Sequence, residues 1–133
     1  MSGVFLDTAG LIAVWNRQDQ WHSAALRVFA ELARARTPLI STALVLIECG
    51  NAASRQPYRS DVVDLRSAMV EKGSLIVPTA EEEEAAWAAY RRGEAGSAGI
   101  VDHVSFVVMR RRGLTSAFTS DAHFRAAGFE TLF

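Results

Sequence analysis

Residues 99–133 read "GIVDHVSFVVMRRRGLTSAFTSDAHFRAAGFETLF", and this stretch decides the class of the fold. An apolar segment over 104–109, broken only by Ser105, runs into Arg110, Arg111 and Arg112 and then Gly113. Three cations suit the negative end of a helix, and glycine takes the left-handed cap conformation without steric penalty. "LTSAFTS" then reads as a strand, "DAHFRAAG" as a short helix closed by Gly128, and "FETLF" as a last strand. Helix and strand alternate here without a hairpin signal such as Asn-Gly, which predicts parallel pairing.

The same alternation extends back to the start of the chain. "VFLD" is a short β-type run, followed by a helix from about Thr8 to Trp15. Trp21, Ala25, Val28, Phe29 and Leu32 recur at helical spacing, an apolar face opposed by charges. "PLIS" predicts a second strand and "TALVLIECGNAASR" a buried helix capped by Ser41 or Thr42. Residues 58–72 repeat the amphipathic pattern through Val62, Leu65 and Met69 and stop at Gly73. "SLIVP" is a third strand, and Glu81 to Glu84 open the next helix, where four acids complement the helix dipole as a solvated start. "GEAGSAG" over 93–99 is read as a mobile loop. The expectation is a three-layer α/β/α domain over 1–133 with a mainly parallel central sheet of about four to five strands.

Composition narrows the function classes. With 133 residues, half of them hydrophobic and 22% charged, the chain fits a soluble globular domain rather than a disordered one. A formal charge of −1 gives no global basic field. The single cysteine, Cys49, excludes an intramolecular disulfide and reads as a small buried filler. No signal-like start and no apolar run near about 20 residues is present, so the expected compartment is the cytoplasm, with no membrane.

Chemistry concentrates in four acids. In open α/β sheets ligands sit beyond the carboxyl ends of the strands. Asp7 closes the first strand, Asp121 follows the fourth, and Asp102 starts the helix before that fourth strand. Glu48 is the only charge in "TALVLIECGNA" and has no cation at helical spacing before Arg55. Asp7, Asp102 and Asp121 each also fit a plain N-cap role worth about 1 kcal/mol. A lone carboxylate on an apolar helix needs a partner or a shifted pKa. If the four converge, each pair about 4 Å apart repels by roughly 4 kcal/mol at an effective dielectric near 20. Cations or protons must then lie between them. All-oxygen ligation without a Cys or His framework suits Mg²⁺ or Mn²⁺ and, through them, hydrolysis of a phosphoester.

Four pieces of the chain, "VFLDTAGLIAVWNRQDQWHSAA", "STALVLIECGNA", "GIVDHVSFVVMRRRG" and "AFTSDAHFRAAGFETLF", together resemble a PIN domain. The likeness is in particular to a VapC-type toxin of a bacterial type II toxin–antitoxin pair, and it covers essentially the whole chain. Asp102 followed by Ser-Phe-Val-Val-Met, and Asp121-x-His-Phe, are its most specific parts; Asp19-x-x-His22 is a weaker one. The resemblance implies a metal-dependent endoribonuclease with Asp7, Glu48, Asp102 and Asp121 as catalytic acids. Thr8 and Thr119 match hydroxyl positions that line such a site, and Asn51 a polar position one turn beyond the glutamate. Mg²⁺ (or Mn²⁺) held by Asp7, Asp102 and Asp121 would activate a water for in-line attack on phosphorus, with Glu48 completing the metal shell through water or assisting deprotonation. Products would carry a 5′-phosphate and a 3′-hydroxyl. A cognate VapB-type antitoxin and a homodimer are implied by family alone, with the amphipathic helix over 19–35 as a source of apolar contact surface.

The chain departs from the family pattern in three places. "TAG" follows Asp7 where Ser-Ala is more usual, which is expected to loosen the first turn at Gly10. "GEAGSAG" replaces a more charged stretch, and His103 stands where Cys is frequent. His103 and His123 are read as half-buried packing residues, with contact to a phosphate as the other role of either. Setting the four acids aside leaves 11 acidic against 14 basic residues, a mildly basic remainder suited to RNA. Arg17, Arg55 and Arg59 are candidate phosphate contacts, whereas Arg110 to Arg112 are explained by the helix end. Two other readings stay open: a catalytically weak PIN-fold module that binds RNA or protein, and a small Mg²⁺-dependent phosphatase. The second is disfavoured because "DTAG" lacks the Asp-x-Asp that haloacid-dehalogenase-type enzymes place after the first strand.

Overall fold

Five short strands form one parallel sheet in the computed structural model, which describes residues 3–133. In chain order the elements are β1 (Val4–Leu6), α1 (Thr8–Trp15), α2 (His22–Arg34), β2 (Leu39–Thr42), α3 (Ala43–Ala52) and α4 (Arg59–Lys72). They continue with β3 (Leu75–Ile76), α5 (Ala80–Arg91), α6 (Ile100–Arg111), β4 (Ser116–Phe118), α7 (Ala122–Ala126) and β5 (Glu130–Thr131). The sheet order is β3-β2-β1-β4-β5. Phe5 pairs with Ile40 on one side and with Ala117 on the other, so β1 is central.

That order dictates the layers. The chain steps outward from β1 to β2 and β3, then returns to the far side of β1 for β4 and β5. Right-handed crossovers in opposite directions put α1–α4 on one face and α5–α7 on the other. The two directions part between β1 and β4, which is the topological switch point where α/β sheets open a crevice.

Residues in β1 alternate between the two layers as the strand period requires. Phe5 packs near Phe124 of α7, while Phe118 of β4 meets Phe29 of α2 edge-on at 5.5 Å. Phe5, Phe106, Phe118 and Phe124 are fully buried, each contributing about 1.5–3 kcal/mol of apolar burial. The "VSFVVM" run of α6 supplies Phe106 and Met109 to this core, while Val104 and Val108 form a second buried cluster with Ala86 of α5. Cys49 is buried as expected. Among the described residues no helix is long and apolar enough to cross a membrane.

The predicted elements are all present, with corrections at their ends. Thr42 rather than Ser41 caps α3, accepting the Val45 N–H at 3.2 Å. Ser41 instead donates to the Leu6 carbonyl at 2.7 Å and so ties β2 to the end of β1. In the acid run Glu82 is buried, not solvated, because its carboxylate accepts the Thr79 N–H in a capping box. Gly10 does not loosen the first turn. A Cβ at Gly10 would lie 2.1 Å from the Phe118 carbonyl oxygen, so glycine is what lets α1 lie directly on the end of β4. The 93–99 segment is folded against the domain, with Ala98 buried and Ser97 hydrogen-bonded to His123 at 3.0 Å. The Asp19-x-x-His22 pair is structural: Asp19 accepts the Trp21 N–H at 2.8 Å, and His22 Nδ1 donates to the Ala13 carbonyl at 2.7 Å. Together they close the turn between α1 and α2.

Candidate metal centre

At the switch point between β1 and β4 Asp102 and Asp121 lie close together, with Asp7 and Glu48 outside that close group but coupled to it through charge. Asp7 leaves the end of β1 and its backbone N–H reaches the Phe118 carbonyl of β4 at 3.4 Å. It occupies the N-cap position of α1, yet its side chain makes no cap bond. The carboxylate is turned inward, 2% exposed, and accepts a hydrogen bond from Thr119 Oγ1 at 2.8 Å. Thr119 Oγ1 in turn accepts the Asp121 N–H at 3.1 Å, so one hydroxyl sets the spacing between two of the acids.

Asp121 is an N-cap, as its position suggested, and accepts the His123 N–H at 2.9 Å. Asp102 is not. Gly99 occupies the cap of α6, and Asp102 sits in the first turn, its carboxylate accepting the Gly99 backbone N–H while facing Asp121. Glu48, halfway along α3, is held by a 2.6 Å hydrogen bond from Thr8 Oγ1. Both hydroxyls singled out in the sequence therefore grip an acid of the cluster. Asn51 does not join them: it is exposed on α3, and no side-chain hydrogen bond links it to the site among the described residues.

Charge and burial act on one another here. Burial pushes the Asp7 carboxyl up to about 7, opposed by the Thr119 hydrogen bond and reinforced by Asp102 and Asp121. Burial also pushes Asp102 up to about 6, with Asp121 and Glu48 adding to the rise and His123 opposing it. Cys49, next to Glu48 in the chain, is driven to about 12 by burial and by the charges of Asp7 and Glu48, which keeps it an inert thiol at neutral pH. Among the described residues no Lys or Arg pairs with any of the four acids; the only ionic partner is His123. An anionic cluster of this kind, partly desolvated and lacking side-chain cations, fits a bound divalent cation.

His123 corrects the reading from sequence. Instead of packing, its Nδ1 lies 3.0 Å from Asp121 Oδ1 and 4.0 Å from Asp102 Oδ2. Ligating atoms of Asp102, Asp121 and His123 all fall within 4.8 Å of one another. The signal in the sequence was the Asp-x-His spacing at a helix start, which folds the imidazole back toward the cap carboxylate. His103 is fully buried rather than half-buried, wedged edge-on between Tyr90 at 5.9 Å and Phe106 at 5.6 Å. Burial lowers its pKa, and the imidazole packs in the core.

The arginines divide. Arg17 lines a polar pocket beyond the end of α1, while Arg55 and Arg59 are exposed in the α3–α4 connection and at the start of α4. Among the described residues none of the three has a hydrogen-bond or ion-pair partner. Arg110 lies over the Phe106 and Phe129 rings and donates to the Ala127 carbonyl at 2.8 Å, and Arg111 pairs with Glu81 at 3.1 Å. These contacts belong to the end of α6, as expected.

Comparison with known proteins gives one consistent result. The sequence model of the PIN domain matches residues 4–130. The 23S rRNA-specific endonuclease VapC20 of Mycobacterium tuberculosis, in strains CDC 1551 / Oshkosh and ATCC 25618 / H37Rv, is 31% identical over 128 residues, covering 95% of each chain. The crystal structure of Mycobacterium tuberculosis VapC20, described as a sarcin–ricin loop cleaving toxin, superposes with a TM-score of 0.77 at 30% identity over 96% of both chains.

Proposed function

The chain belongs to the PIN domain family, and on that premise we propose that it is a metal-dependent endoribonuclease, the toxin of a toxin–antitoxin pair. The reading is supported by one feature: Asp102, Asp121 and His123 present ligating atoms within 4.8 Å of one another, Asp7 and Glu48 are electrostatically coupled to that group, and among the described residues no Lys or Arg pairs with any of the four acids. Capping accounts for Asp121 but not for the inward turn of Asp7, whose burial as a charge costs folding energy.

Asp7, Asp102 and Asp121 would hold a divalent cation, Mg²⁺ or Mn²⁺, and Glu48 would complete the set. The cation, when bound, supplies Lewis acidity at phosphorus and a more acidic water. The chain's own residues fix the geometry. Thr119 holds Asp7 and the Asp121 backbone in one hydrogen-bonded chain, and Thr8 clamps Glu48. With its proton on Nδ1, His123 donates to Asp121 and leaves Nε2 to accept from Ser97 Oγ. Glu48 and His123, beside the three aspartates, are candidates to pass a proton to or from the reacting oxygens.

The similar endonucleases act on 23S rRNA, so that RNA is the first substrate to test. A VapB-type antitoxin, a homodimer and a cytoplasmic site of action complete the proposal, with residues 1–133 working as one PIN domain. The test is sequencing of RNA ends after incubation with wild type or Asp7→Asn. New 5′-phosphate ends are expected with wild type and Mg²⁺ only. Equal cleavage by the variant, or undiminished cleavage in EDTA, would reject the site.

A further inference from the structure

A second site lies one helix away from the acids. α1 begins next to Asp7 and α3 carries Glu48, and both run outward before α2 and α4 return to start β2 and β3. The two turns therefore stand beyond the carboxyl edge of the sheet, on the side of the acid cluster. They meet where Trp15 stacks on Tyr58, centroids 6.2 Å apart and planes 24° from parallel. Trp15, at the far end of α1, stands about 10–12 Å from Thr8 at the helical rise.

Between these turns lies a pocket of about 540 Å³ lined by Trp15, Asn16, Arg17, Gln56, Tyr58 and Asp61, among others. Its size falls in the range of small-ligand sites. Its lining combines the half-buried Trp15, the largely buried Tyr58, side-chain amides, one cation and one carboxylate. Asn16 Oδ1 accepts the Gln18 N–H at 3.0 Å, which fixes that amide at the lip with its NH₂ group unused. Among the described residues the side chains of Arg17, Gln56 and Asp61 have no hydrogen-bond or ion-pair partner, so their polar atoms remain available. Cation and carboxylate balance, which disfavours a site for phosphate alone. Aromatic surface beside amide and carboxylate groups is instead how proteins take up an unpaired RNA base, by stacking and by hydrogen bonds to its edges.

We infer that this pocket binds an unpaired nucleobase of the RNA substrate, a few nucleotides from the scissile phosphate, with Arg17 on the adjoining phosphate. The inference rests on the ribonuclease reading for its ligand, but its geometry is independent of the acids. It makes Asn16, Gln56 and Trp15 specificity determinants.

The test uses the full chain in EDTA, where it binds without cutting. The probe is a fluorescein-labelled pool of single-stranded oligoribonucleotides of mixed sequence, read by anisotropy. The double variant Asn16→Ala/Gln56→Ala is expected to bind about 10-fold more weakly, and Trp15→Leu at least as weakly. An abasic oligomer of the same length should not distinguish the double variant from wild type. Because Trp15 is partly buried, the exposed Gln56 and the lip residue Asn16 keep the test independent of folding, with an unchanged melting temperature of the double variant as control. Wild-type affinity in the double variant, or an equal loss with the abasic oligomer, overturns the inference. In a second arm with Mg²⁺ and 23S rRNA, the double variant should shift KM more than kcat. A chain that cuts no RNA but shows the base-dependent binding loss keeps the pocket and removes the nuclease. Cleavage by the double variant with wild-type KM keeps the nuclease and removes the pocket.

Discussion

Replacing Asp7 by asparagine should make the metal-free protein more stable, not less. The Asp7 carboxyl rises from 3.8 to about 7 on folding, burial being the main cause. Below pH 3.8 it is neutral folded and unfolded, and contributes no pH-dependent penalty. Above that value the unfolded chain releases its proton while the fold retains it, so stability falls with rising pH until about 7 and is flat beyond. The full penalty is about 4 kcal/mol, and at pH 5 about 1.5 kcal/mol. Asparagine has nearly the same shape and still accepts the Thr119 hydroxyl, so it removes the penalty while keeping the 2.8 Å hydrogen bond. A gain of about 2–4 kcal/mol at pH 8 in EDTA is expected, or about 6–15 °C in melting temperature for a chain of this size. Urea or thermal denaturation at pH 4, 5 and 8 measures it. Mg²⁺ or Mn²⁺ at 1,000 times its Kd should cancel or reverse the gain, because it adds about 4.1 kcal/mol to the wild type alone. A variant no more stable than wild type at pH 8, or a gain independent of pH, would show that Asp7 is a structural residue and refute the reasoning.

Divalent-metal affinity should drop as pH falls through about 7 and then about 6, because Asp7 and Asp102 must release protons to ligate. Calorimetry in buffers of different ionisation enthalpy should detect one to two protons released per ion at pH 6, and none released would count against both carboxylates as ligands. Gly10→Ala should cost more than about 2 kcal/mol through overpacking, since its methyl would sit 2.1 Å from the Phe118 carbonyl oxygen; a thermal melt within a degree of wild type would contradict the close approach. His123→Gln should weaken Mn²⁺ binding by about 3- to 10-fold and Mg²⁺ binding less, because an imidazole that gives up its Nδ1 proton when an ion binds beside Asp121 offers the softer ion a nitrogen ligand; titration with both metals decides it, and equal losses would leave His123 only a hydrogen-bonding role.

Residue pattern alone carried a great deal of this. The period-3.6 stripes, the capping signals and the missing hairpin turns were enough for an alternating α/β chain, because those features act within a few residues. The acids were legible for the same reason: Glu48 lacks a cation on its own helix, and Asp7 and Asp121 end strands whose carboxyl edges are where such sheets bind ligands. Family resemblance then grouped them. Their convergence was not legible, since it depends on the sheet order β3-β2-β1-β4-β5, and that order is set by long-range packing.

Other residues changed meaning for the same physical reason. Gly10 reads as a flexible residue in "TAG", and only the neighbouring β4 carbonyl shows that it is there for want of a side chain. His103 and His123 look alike in sequence, each beside an acid at a helix start. Tertiary packing sends one between Tyr90 and Phe106 and the other to Asp121. Trp15 and Tyr58 are 43 positions apart and form a pocket wall only because two helical hairpins end at the same height above the sheet. Sequence by itself determined the elements, their alternation and the acids available. Tertiary structure decided which side chains share a site, because burial, electrostatic coupling and close approach are properties of distance in space.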